Sequence, residues 1–245
     1  TRAPDRPCGM HKWAGLVFLV ALALGCASST TGDPGSGVLV EGSVSDAFNR
    51  TPINGVDICI LEPNELGCVR SNFRGEFSFR NVARGSRLLI QFIAPSYYPT
   101  VAHYTVGESN EFLTYLLTSD ELANLASSLA GVTRDESKGT IIFAARTGKG
   151  PDATNVEEIS LVMEPDNGEG PFYAVQNGFD MSRSSTTSVG GGAWFNIDQG
   201  TYTVRYNHPN ATCIPYYGWA SGETNALTVR IKPGFISYIN QICNP

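Results

Sequence analysis

The chain has 245 residues, room for one large domain or two small ones, with 42% apolar residues, 16% charged residues and 26 glycines. That balance excludes a disordered chain and suits a turn-rich β protein better than a helical bundle. A formal charge of −6 argues against nucleic acid as a partner, because that binding depends on Lys and Arg neutralising phosphates.

The first feature in chain order is a targeting segment. Met10-His11-Lys12 supplies a short positive start, residues 13–24 form an apolar run, and Gly25-Cys26 follows. These are the parts of a secretory signal. The run falls short of the roughly 20 residues that span a bilayer as a helix. A buried core helix is the alternative, but the Ser, Thr, Gly, Asp and Pro of 27–37 break any further helical period. Leu22-Ala23-Leu24-Gly25-Cys26 resembles the bacterial lipobox, with Ala23 where leucine is usual. The resemblance implies acylation of the Cys26 thiol, cleavage after Gly25 and acylation of the new amino group. A membrane is then the first expected partner, through the Cys26 lipid anchor, since several acyl chains at about 0.8 kcal/mol per buried CH₂ hold durably. Ala27 rather than Asp follows the cysteine, and the sorting rule for such proteins then implies the outer membrane. Residues 1–25 are read as upstream residues plus signal peptide, and 26–37 as lipidated cysteine and flexible tether.

From Val38 the pattern changes to short alternating runs between turn residues. Residues 38–44, 56–61, 76–80, 87–93, 100–106 and 111–117 read as strands, at a spacing that signals a sandwich or barrel. Phe77 and Phe79 sit two apart and so face one side, the core. Gly75 and Gly85 suit tight turns at the two ends of that strand. Gly42-Ser43-Val44-Ser45-Asp46, Thr51-Pro52-Ile53-Asn54-Gly55-Val56, Gly75-Glu76-Phe77-Ser78-Phe79 with Val82 and Gly85, and Tyr97-Tyr98-Pro99 together resemble the carboxypeptidase regulatory-like domain. That resemblance covers roughly residues 38–107 and implies a transthyretin-like β-sandwich. It implies no activity, because these domains accompany enzymes and the catalytic zinc domain is missing here.

Thr118-Ser119-Asp120-Glu121 has capping-box spacing, with Thr118 as cap. Leu122, Leu125, Ala126 and Leu129 follow at helical spacing, and Gly131 can close the helix. The apolar stripe is expected to pack on a sandwich rather than bind a partner. A second β run starts at Gly139. Phe195-Asn196-Ile197-Asp198-Gln199-Gly200 echoes Phe79-Arg80-Asn81-Val82-Ala83-Arg84-Gly85, sharing Asn, an aliphatic, two residues and Gly. The expected fold is therefore all-β, with two tandem transthyretin-like or immunoglobulin-like β-sandwich modules after an N-terminal signal helix. Their bounds are 38–117 and 138–245, joined by a short helical segment at 118–137.

Four cysteines follow Cys26: Cys59, Cys68, Cys213 and Cys243. An even count in an exported chain favours disulfides, and Cys59–Cys68 with Cys213–Cys243 keeps each bond within one module. Metal binding is the alternative, but no Cys-x-x-Cys or His cluster supports it. His103 and His208 lie far apart, and no nucleophile elbow or complete P-loop occurs; Gly218-Trp219-Ala220-Ser221-Gly222 and Thr147-Gly148-Lys149-Gly150 are only partial likenesses. Asp166-Asn167-Gly168-Glu169 lacks the alternating oxygens of an EF-hand and reads as a turn. No catalytic residue, metal site or cofactor is expected. Two functions remain: a non-catalytic envelope lipoprotein with a structural or interaction role, or a carbohydrate-binding one. In the second, Tyr216, Tyr217 and Trp219 would stack on sugars; a core role for that cluster is the alternative. Envelope proteins or glycans are the expected partners besides the membrane.

Overall fold

The computed structural model describes residues 37–149 and 152–244. The signal segment, Cys26 and the tether up to Ser36 lie outside those residues. The first half carries β1 (Val38–Asp46), β2 (Asp57–Glu62), β3 (Cys68–Arg70), β4 (Glu76–Val82), β5 (Arg87–Ile93), β6 (Thr100–Thr105) and β7 (Glu111–Leu117). Helix α1 (Asp120–Leu129) follows. The second half carries β8 (Gly139–Arg146), β9 (Ser160–Glu164), β10 (Glu169–Val175), β11 (Gly178–Asp180), β12 (Gly191–Ile197) and β13 (Gly200–Asn207). Its last strands are β14 (Thr212–Tyr217), β15 (Trp219–Ala220), β16 (Ala226–Ile231) and β17 (Ile236–Asn244). Among the described residues the fold is all-β, with one α-helix between the two runs of strands and a 3-10 turn at Asn64–Leu66.

Three sheets build it. A small sheet has the order β4-β1-β7, a second the order β15-β16-β13-β9, and a ten-stranded sheet runs β11-β10-β12-β8-β17-β6-β5-β2-β3 with β14 also on β17. The long sheet belongs to both halves because β17 pairs in parallel with β6 on one edge and with β8 on the other. Parallel neighbours need a long connection rather than a hairpin, and here the whole second half supplies it. Side-chain alternation then gives the long sheet two working faces. Ile90, Phe92, Ala102 and Tyr238 point into one core beneath β4-β1-β7. Ile141, Phe143 and Ile239 point into the other core, beneath β16 and β13. Strands covered on both faces, such as β6 and β12, are accordingly buried almost without alternation.

The Asn-aliphatic kernel repeats as backbone geometry. Asn81 and Asn196 both adopt a left-handed conformation, with φ of 58° and 55°, which Asn tolerates better than most residues. Each sits in a β-bulge: β4 slips register on β1 between Phe79 and Val82, and β12 slips on β8 between Trp194 and Ile197. The extra residue returns Val82 and Ile197 to the core, where both are fully buried.

The helix differs from its sequence reading in two respects. Its cap is Ser119, whose hydroxyl accepts from the Leu122 N–H at 3.2 Å; Thr118 remains tied to β-type pairing through its carbonyl, which accepts from Tyr98 N–H. The packed face is also rotated. Ala123, Ala126, Ser127 and Ala130 face the protein, whereas Leu125 and Leu129 are about half exposed, at 51% and 49%. Small residues let the helix lie close to the sheet, where Ala123 meets Tyr98 and Ile236. Gly131 closes the helix as expected, at φ 69°. Its N–H donates to Ser128 O and that of Val132 to Ser127 O, the two bonds of a Schellman motif.

Both disulfides form with the expected pairing. Cys59 lies directly opposite Cys68 on β2 and β3, and Cys213 opposite Cys243 on β14 and β17. The first bond is near the surface, and the second is buried in the second core.

Candidate functional site

The aromatic cluster 216–219 lies where the two halves meet. β14 delivers Tyr216 and Tyr217 beside β17, Gly218 turns the chain at φ 137°, and β15 delivers Trp219. Glycine is needed at the turn, because an added Cβ would stand 2.7 Å from a Leu227 methyl.

Trp219 is a core residue. It is 5% exposed and packs with Leu89 and Val101, and its Nε1–H donates to Leu88 O at 3.0 Å. Its ring meets that of His103 edge-on, with centroids 4.8 Å apart. Tyr217 is buried in the first core; its hydroxyl donates to Thr114 O at 2.7 Å and accepts from Thr114 N–H at 3.1 Å. Neither ring presents a face on which a sugar could stack. Tyr216 is half-buried, stacked on Tyr217 at 4.3 Å. Burial raises the pKa of its hydroxyl, so it remains a neutral donor near neutral pH.

Tyr216 borders a cavity of about 270 Å³ whose wall also holds Arg50, Arg146, Lys149, Tyr238 and Asn240. Lys149 Nζ lies 5.0 Å from the centre of the Tyr216 ring. Arg146 donates to Ala153 O at 2.6 Å. Asn240 is buried, and its Oδ1 has no hydrogen-bond partner among the described residues. Three cations and no carboxylate line the cavity, so its electrostatics favour a neutral or anionic polar ligand. Arg50, Arg146 and Asn240 carried no sequence signal, since only the insertion of β17 between the halves assembles them.

The remaining motifs resolve into structure. Asn167 accepts from the Asp198 N–H at 2.8 Å, and Asp198 pairs with Lys138 at 2.8 Å, which makes 166–169 a braced turn. The Lys138 ammonium beside Asp198 holds that carboxyl below its ordinary pKa. His103 is fully buried and His208 is half-buried. The four cysteines bond in two pairs, and no cluster of His, Cys, Asp or Glu suited to a metal occurs among the described residues. No helix among those residues is long and apolar enough to cross a membrane.

No family model and no curated protein matches the chain. Among solved structures, the Bacillus anthracis TIE protein is 14% identical at a TM-score of 0.31, covering 84% of this chain, which spans 34% of that one. A minor pilin of Streptococcus agalactiae is 9% identical at a TM-score of 0.27, covering 85% of this chain and 98% of the pilin. The shaft pilin of Lactobacillus rhamnosus GG is 12% identical at a TM-score of 0.25, covering 83% and 96%. Scores this low add nothing to what the strands and cores themselves display.

Proposed function

We propose that the chain is a bacterial lipoprotein, held to the outer membrane through acylated Cys26, whose folded part is a non-catalytic structural or interaction module. The observation that carries the reading is the disulfide pairing. Cys59–Cys68 and Cys213–Cys243 account for every cysteine after Cys26, which fits an oxidising compartment outside the cytosol and leaves Cys26 to the lipobox chemistry. The modules at 38–117 and 138–245, joined through 118–137, share one hydrogen-bonded sheet, so the tethered unit would present its surfaces as one body. The 38–107 segment is proposed to be carboxypeptidase regulatory-like.

Cys26→Ser is expected to abolish labelling by radioactive palmitate and to release a soluble or uncleaved product. Continued palmitate uptake with continued membrane partitioning would end the lipoprotein reading.

A second reading, glycan binding, draws on the cationic cavity beside Tyr216, which the half-buried rings of Tyr216 and Tyr238 line. By charge, an acidic glycan suits it best. On a glycan array, Tyr216→Ala is expected to remove most of the signal while leaving the fold intact. An array signal that survives this change would place glycan binding elsewhere, and the absence of any signal would remove the reading.

A further inference from the structure

The face of the long sheet beneath α1 is not filled. Between α1 and strands β8, β12 and β17 lies a cavity of about 290 Å³, walled by Ala126, Ile142, Phe179, Phe195 and Ile236 and edged by Tyr98 and Arg134. The wall is mostly apolar, its polar residues beyond that edge being Thr118, Thr140 and Tyr238. At the edge the Arg134 guanidinium stacks on Tyr98, with Cζ 3.9 Å from the ring centroid. Its Nε and Nη1 atoms are buried, yet neither has a hydrogen-bond partner among the described residues. A guanidinium does not lose its proton in a protein, and buried donors on a charged group are costly to leave unmade. Glu136 and Asp120 lie close enough to act on the Tyr98 hydroxyl, but neither is within ion-pair distance of Arg134.

We propose that this cavity binds a small apolar monocarboxylate. Its carboxylate accepts from the Arg134 donors, and its tail lies under α1 against Ile142 and Ile236. The unmet cationic donors name the head group and the apolar wall names the tail. The volume sits at the low end of small-molecule sites, which run from about 300 Å³ upward, so the tail is short to medium. The site lies on the face of the sheet opposite the second core and shares only Tyr238 with the cavity at Tyr216; Arg134, Ile142 and Ile236 belong to this site alone, so the proposal does not rest on the glycan reading.

Isothermal titration of the full chain with sodium octanoate and with 1-octanol tests it. Octanoate is expected to bind about ten-fold more tightly than the alcohol, the scale of one charge-assisted hydrogen bond. Arg134→Gln should erase that difference while leaving octanol binding within about two-fold. Ala126→Phe, which fills the cavity, should remove both ligands; retained binding would mean the site lies elsewhere. Should the filled variant fail to fold, the Arg134→Gln comparison decides alone. Equal affinity for acid and alcohol in the unaltered chain, no binding of either, or a preference that survives Arg134→Gln would each overturn the proposal.

Discussion

Phe77→Ala and Phe79→Ala are each expected to lower the stability of the chain by about 3–5 kcal/mol, while Ser78→Ala between them changes it by less than about 0.5 kcal/mol. The three residues occupy successive positions on β4, and only the phenylalanines point inward, at 6% and 3% exposure. Phe77 stands at the centre of an aromatic group. Its ring lies 6.1 Å from Phe79, 6.2 Å from Phe92 and 6.2 Å from Tyr115, mostly edge to face. β1 makes room for it with Gly42, where an added Cβ would fall 2.5 Å from Phe77 Cζ and 2.6 Å from the Leu113 carbonyl oxygen. Truncation would leave a void that β1 and β7, paired across the same layer, can close only partly. Urea unfolding of the three variants measures the contrast. Similar small losses at all three positions would show that the first core does not depend on this aromatic group.

How far the sequence reveals the molecule depends on the range of the interaction. Alternation is local, so the inward pair Phe77 and Phe79 and the strands 87–93 and 111–117 are legible from spacing alone. The first disulfide is legible because a hairpin sets Cys59 opposite Cys68, and the second because Cys213 and Cys243 are the remaining pair and fall in one half of the chain. The Asn81 and Asn196 kernels are legible as a repeat, and their shared left-handed turn explains why the motif recurs. What spacing cannot show is which strand lies beside which at long range. β17 lies in the second β run with nothing local to name its neighbours, yet its parallel pairing with β6 and β8 fuses the halves into one sheet.

The same limit governs the sites. Tyr217 and Trp219 stand beside turn residues in sequence, as surface aromatics do, but both are covered from the first half, by Thr114 and Tyr115 and by Leu88 and Val101. Helix α1 misleads for a related reason. Its leucines form the obvious stripe, yet close approach to the sheet selects the alanine face. Arg134 gives no signal as a single cation after a helix, and acquires one only through the apolar wall and the Tyr98 ring that the fold places around it.

Acidification from about pH 7 to about pH 4.5 is expected to remove roughly 2–3 kcal/mol of stability through His103 alone. This ring seals the junction between the long sheet and the sheet above it. It is fully buried on β6, edge-on to Trp219, with Nε2 at 2.9 Å from Arg230 N and 3.1 Å from Arg230 O. Its Nδ1 is buried with no partner among the described residues, so the Nδ1–H of the imidazolium would have nothing to bond. Burial pushes the pKa down from 6.5 to about 3, against a smaller upward pull from the Arg230 backbone. Between those two values the unfolded chain binds a proton that the folded chain refuses. Stability therefore rises with pH at up to about 1.4 kcal/mol per unit, is fully present above the unfolded value, and is lost as pH falls through the window. The carboxyls of Asp46 and Asp198, held below their ordinary value of 3.8, contribute stability that is lost only at lower pH. Urea unfolding at both pH values, on the unaltered chain and on His103→Gln, isolates the effect. The glutamine side chain can still bond Arg230 but carries no titrating proton, so its loss on acidification should be smaller by that same 2–3 kcal/mol. An identical acid loss in both proteins would mean that the ring titrates freely and that the junction opens around it in solution.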